Sequence, residues 1–268
     1  MLLLPAKNNY THMTRSSRFA ISLAIASVFS LPTISAAATT APDSNATYCQ
    51  TAPVRLQTLE SHFTASQTVR QANEGKENTR LQDYRTASNT TLTAKRAKWD
   101  ANRAQWFVKL QGISLSATSK TAEASFEASV NAAVATKRAG NDAATAQFRT
   151  KQDAAIGVRR ASVAQAIATR NQAVLAAGQQ VASGCAAGTG NVTVIRSGFK
   201  TAISNAQSAF KTTDSAAWAT SSVTMKQLQS DRKATEATNY ATYKASVSSA
   251  LVTYKAARGA NPLASPKQ

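Results

Sequence analysis

Three arginines, Arg138, Arg149 and Arg160, recur every eleven residues. On a helix that spacing is about three turns, so the guanidinium groups share one face at intervals of about 16 Å. Lys137, Lys151, Arg159 and Arg170 flank the line, and a second cluster, Lys95, Arg96, Lys98, Arg103 and Lys109, is interleaved with Trp99, Trp106 and Phe107. The chemistry such arrays support is anion capture: a phosphate-rich polymer binds them through counterion release, largely without sequence preference. The competing reading is that these side chains only solvate the outer face of a helical bundle. Trp99 and Trp106, seven residues apart, read as core rather than as stacking platforms.

Bond-making chemistry is poorly supplied. The chain has 13 carboxylates and two cysteines, and beyond residue 38 its only histidine is His62. No nucleophile and base stand at a spacing that would bring them together. Glu74/Glu77 and Glu123/Glu127 lie on helical patterns at spacings that could pair carboxylates, but they read as solvated or helix-start acids, and His62 beside Phe63 reads as a half-buried helix residue. No phosphate loop, GxGxxG or CxxC occurs. The expectation is a protein that is not an enzyme and uses no metal and no cofactor.

The elements that must carry these side chains are long helices. From Phe126 to Thr169 four eleven-residue units align the columns Glu127/Arg138/Arg149/Arg160, Asn131/Asp142/Asp153/Ala164, Ala133/Ala144/Ala155/Ala166 and Val134/Thr145/Ile156/Ile167. A second set aligns Tyr243 with Tyr254, Lys244 with Lys255 and Ala245 with Ala256. An eleven-residue period predicts nearly straight or slightly right-handed rods. Gly112, Gly184 and Gly259 each follow a helical pattern where a left-handed residue commonly ends the helix, which divides the chain into segments of about 60 residues, or about 90 Å each. Thr51-Ala52-Pro53 reads as the first helix start, and Gly75 inside a polar run as a bend. Leu56, Leu59, Phe63, Leu81, Tyr84, Leu92, Trp99, Trp106, Leu110 and Ile113 form a stripe for packing against another helix. Asn191–Ile195 is the one short strand candidate, and Thr212-Thr213-Asp214-Ser215 offers a fresh N-cap.

The expected fold is all-α: an elongated antiparallel bundle of three long helical segments, the third broken near Asp214, with hendecad-type packing. Residues 52–183 form a helical hairpin, 184–192 a Gly-rich loop, 193–259 the third segment and 260–268 a disordered tail, with 39–51 a short N-terminal linker. Cys49 and Cys185 read as a disulfide, because their midpoint falls in the turn near residue 117 and a hairpin folded there brings the thiols to its open end.

Residues 1–38 read as an address. Arg15 and Arg18 precede the apolar run Phe19–Leu31, followed by Pro32 and the small residues Ser35–Ala38, the plan of a secretory signal peptide. The run is shorter than the ~20 residues that span a bilayer, and left uncleaved it would act as an anchor. The formal charge of +18 falls to +15 once Lys7, Arg15 and Arg18 leave with no acid among residues 1–38. For an exported chain the anionic partners are envelope polymer, membrane surface or extracellular nucleic acid, or an acidic or unfolded protein. Asn45, Asn89 and Asn191 open glycosylation sequons.

Two functions follow. The first is a secreted or envelope-associated structural or interaction protein that adheres by charge through Arg138, Arg149, Arg160 and the Lys95–Lys109 cluster. The second is an extracytoplasmic chaperone, because a long, basic, alanine-rich exported helical chain resembles in outline the periplasmic holdases. That resemblance covers composition and helical arms, with no motif that maps residue by residue, and it implies binding of unfolded exported clients.

Overall fold

Three helices account for the fold in the computed structural model: α1 (Asn45–Gln111), α2 (Ala117–Ala186) and α3 (Val192–Gly259). The structure describes residues 45–113, 116–188 and 191–259. Residues 1–48 separate from the compact unit Cys49–Gln268, and the packing described below is that of the second unit. The signal-peptide reading of 1–38 and the tail reading of 260–268 lie outside the described residues.

The helices are long because little in them favours an alternative. Their threonines and serines, poor helix formers when they compete for the backbone, instead bond the carbonyl one turn back. Thr58 donates to Val54 O, Thr64 to Glu60 O and Thr79 to Gly75 O at 2.9–3.2 Å. This arrangement corrects three expectations. Helix α1 begins at Asn45, so the stretch expected to be a linker is helical from residue 45 and Pro53 lies inside the helix. It also runs through Gly75 without interruption. Helix α3 is unbroken at Asp214: Thr212 and Thr213 donate to Ser208 O and Ala209 O, and Trp218, one turn on, donates to the Asp214 carboxylate. The side chains that would have capped a new helix are thus used within the existing one.

Capping residues flank both interhelical turns. Ser116, extended at φ −110° and ψ 153°, accepts the Ser119 N–H and starts α2. Gly188 takes the left-handed conformation, φ 63°, that was expected at Gly184, which is still helical. Asn191 Oδ1 then accepts the Thr193 N–H at 2.9 Å, so the strand candidate Asn191–Ile195 enters α3.

The core forms where all three helices meet. Phe107 of α1, Phe126 and Val130 of α2 and Tyr254 of α3 are buried together. Phe126 stacks on Tyr254 at 5.1 Å and meets Phe107 edge-on at 5.9 Å. Further along α2 the buried apolar positions are mainly alanine, Ala133, Ala144, Ala166 and Ala177, with Val174 and Val181 buried toward its end. The close approach this permits is sharpest at Gly178, where an added Cβ would stand 2.6 Å from Leu56 Cδ1. Cys49 and Cys185 are bonded, joining the start of α1 to the last turn of α2.

Candidate functional site

The arginine line on α2 faces α1. Arg138 makes two bonds to Asp100, at 2.7 and 2.8 Å. Arg149 donates to Asn89 Oδ1 at 2.8 Å, and Arg160 to Asn78 Oδ1 and Glu77 Oε2 at 2.9 Å each. At the head of the same column Glu127 accepts from Gln111 at 3.0 Å. The α1 partners Gln111, Asp100, Asn89 and Asn78 therefore step back by eleven residues for each eleven gained on α2. The next column repeats the pattern with the charges exchanged: Asp142 receives both Arg96 nitrogens and Asp153 both Arg85 nitrogens, at 2.6–2.9 Å. Arg103 donates to Asn131 and Asp100, at 2.7 Å each.

These bonds set the electrostatics. The hydrogen bond from Arg138, aided by Arg103, pulls the Asp100 carboxyl down to about 2. Arg96 likewise lowers Asp142. Bidentate guanidinium–carboxylate pairs carry geometric specificity, whereas partly exposed ion pairs add only about 0–1 kcal/mol each. The ladder therefore fixes register more than it adds stability.

A neighbouring column of α2, one residue earlier, faces α3 by different means. Lys137 Nζ lies 5.0 Å from the ring centres of Tyr240 and Tyr243, and Arg159 Cζ lies 3.8 Å from that of Trp218. Arg170 stands over Phe210 and Phe63, and Phe148 receives Arg232 at 4.8 Å. Burial pushes the Lys137, Arg159 and Arg170 groups down from their ordinary values.

The anion-binding candidates thus divide by side-chain type. Arg96, Arg103, Arg138, Arg149 and Arg160 bond across to the facing helix, and Arg159 is buried beneath Trp218. Lys95, Lys98, Lys109 and Lys151 are exposed. The carboxylate pairs are also taken. Glu74 holds Arg70 at 2.6 Å, Glu77 holds Arg160, and Glu123 is buried, accepting from Tyr254 Oη at 3.2 Å. An open groove of about 360 Å³ beside Asp100, Arg103, Phe107 and Arg138 is lined by charges already bonded to one another. His62 is exposed. Among the described residues no three His, Cys, Asp or Glu side chains group as metal ligands, and no helix is long and apolar enough to cross a membrane.

The tryptophans are less buried than their spacing suggested. Trp106 touches Phe107 and Phe126 edge-on yet stays 39% exposed, and Trp99 is 43% exposed. Sequence reasoning missed the acceptor column on α1. Its signal was present, because folding the chain about the turn near residue 117 sets Asn78, Asn89 and Asp100 opposite the three arginines. Comparison with known protein families, curated proteins and solved structures finds no match.

Proposed function

We propose that the protein is an exported, non-catalytic structural or interaction protein, secreted or held at the cell envelope, that adheres by charge to anionic polymer or to a membrane surface. In this reading residues 1–38 direct export. The three helices form an elongated antiparallel bundle with hendecad-type packing, which acts as a stiff, disulfide-clasped carrier for surface charge. The observation that supports it most is the division of the cations. Among the candidate cations Arg96, Arg138 and Arg160 bond across to the facing helix while Lys95, Lys98, Lys109 and Lys151 stand exposed, in a chain of formal charge +18. Compact, strongly hydrated ammonium groups suit loose electrostatic adhesion, and planar guanidiniums suit fixed bidentate pairing.

The test is retention on polyphosphate-coated beads across a salt series. Binding fades toward about 0.5 M salt, where screening is nearly complete beyond a few ångströms. Replacing Lys95, Lys98, Lys109 and Lys151 by Gln flattens the salt slope by about one for each phosphate that is no longer neutralised. Replacing Arg138, Arg149 and Arg160 by Gln lowers stability instead, leaving the slope nearly unchanged in the folded fraction. Retention that ignores salt, or that survives removal of the four lysines, would overturn the reading.

A further inference from the structure

Helix α1 leaves a line of large apolar side chains in solvent. Tyr84, Leu92, Trp99, Trp106 and Ile113 are 36–61% exposed and follow one another at steps of eight, seven, seven and seven residues. At 3.6 residues per turn the four on α1 fall within an arc of about 80°, over about 33 Å of helix, and Ile113 follows in the turn just past its end. Among the described residues the other large exposed apolar ones are valines at scattered positions, which are ordinary on any surface. Large apolar side chains recurring along one arc, even with Ser88, Lys95 and Asn102 between them, are not ordinary and mark a face that meets another apolar phase.

The charges beside the line select the phase. By the same angular count, Lys95 lies within the arc and Lys98 and Lys109 lie on its margin, all exposed. Asp83 and Asp100, the two acids between residues 82 and 113, fall well outside it, and Asp100 is turned to Arg138 and Arg103. A second copy of the chain would set this lysine row against itself. An anionic bilayer complements it. Tryptophan and tyrosine favour the headgroup level, where the ring is buried and its N–H or O–H stays wet. Lysine stems extend along the apolar surface while their ammonium groups reach lipid phosphates.

We infer that α1 docks lengthwise on an anionic lipid surface through Tyr84, Leu92, Trp99, Trp106 and Ile113, with Lys95, Lys98 and Lys109 on the headgroups. This rests on the electrostatic reading above and narrows its partner to lipid. The side chains enter the headgroup boundary without spanning the bilayer, as an interfacial helix does.

Tryptophan emission tests it in the full chain. All three tryptophans, Trp99, Trp106 and Trp218, lie on the described helices, so a Trp218→Phe background reports α1 alone, whatever residues 1–44 do. Vesicles of phosphatidylglycerol and phosphatidylcholine should shift the emission to the blue, and brominated acyl chains should quench it; pure phosphatidylcholine should do neither. Leu92→Ser with Lys95→Gln, at unchanged helicity and with both reporters retained, should weaken the response about tenfold or more. Binding to anionic vesicles with unmoved, unquenched emission overturns the docking and leaves adhesion by charge intact, as does binding to polyphosphate without binding to vesicles. Binding to neither overturns both. A concentration-dependent dimer that buries the same tryptophans without lipid assigns the line to a second copy and also overturns the inference.

Discussion

Arg159 and Arg160 are neighbours in sequence and make different principal contacts. Arg160 reaches α1, where Asn78 and Glu77 accept its hydrogen bonds at 2.9 Å, whereas Arg159 places its Cζ 3.8 Å from the centre of the Trp218 ring of α3 and meets Glu77 only at 3.7 Å. The difference extends along α2. The α1 side is cross-linked by carboxylates, amides and guanidiniums at eleven-residue steps, and many of the acceptors are half exposed, as are Asp142 and Asp153. The α3 side joins cations to aromatic rings over a seam of alanine, and a stacked Phe126–Tyr254 pair closes one end. Polar ladders discriminate register well, since a one-residue slip would mismatch every rung, but in contact with water they stabilise little. Apolar and ring contacts stabilise through area removed from water and tolerate small shifts. Helix α2 therefore has one face that specifies alignment and one that supplies cohesion.

If the ladder is the weaker side, α1 depends on its clasp. The Cys49–Cys185 bond closes a loop of 136 residues, and removing it should cost about 4–5 kcal/mol in the chain-entropy model. Urea unfolding of the Cys49→Ser/Cys185→Ser variant measures the total. Amide exchange tests the asymmetry: protection in the first half of α1 should fall well before protection in α3. Equal loss in both helices would refute the contrast between the faces.

Single side chains should separate the faces next. Phe126→Ala empties the site that joins Phe107, Trp106 and Tyr254 and should cost about 3–5 kcal/mol. Arg85→Met removes a buried guanidinium and its bonds to Asp153 and Gln152. It keeps the apolar stem and leaves behind a carboxylate that is 52% exposed, so its cost should be about 1–2 kcal/mol. Both are read from urea midpoints at constant slope. Comparable costs would show that the ladder contributes more cohesion than its exposure allows.

Much of this division was legible in the residues. The apolar and alanine pattern identifies three long helices, and the two cysteines identify the bond that joins α1 to α2. The columns 133/144/155/166 and 138/149/160 separate an alanine seam from an arginine line. The destination of the arginines was harder to read. A row of cations looks the same whether it faces solvent or a complementary row, and the Asn78/Asn89/Asp100 complement is mostly neutral, so it gives no charge signal. Helix ends failed for a related reason. Thr212, Thr213 and Asp214 can cap a new helix or bond within the old one, and that choice is made by Trp218 and by Arg159 across the α3 interface, outside any local window. The exposed line on α1 has the same limit, because Leu92 and Trp99 carry a packing pattern whichever phase they meet.

The smallest effect should be the most specific. The Asp100 carboxyl is held at about 2 by Arg138, and Asp142 is lowered by Arg96, against an unfolded value of about 3.9. A folded value below the unfolded one means that the unfolded chain takes up protons first on acidification. The stabilisation is thus complete above about pH 5 and is lost as pH falls through the window from about 4 to 2. On the α3 side Asp214 is shifted the other way, raised by burial despite the Trp218 hydrogen bond and Arg159. Its protonation therefore favours the folded chain as pH falls toward the carboxylate range. Acid should weaken the α1 face while relieving a strain on the α3 face. Urea midpoints across this window should fall less steeply for Asp100→Asn/Asp142→Asn than for the wild type, and slightly more steeply for Asp214→Asn. Parallel curves for all three proteins would mean that the two faces do not differ in their response to charge, and the contrast would then rest on packing alone.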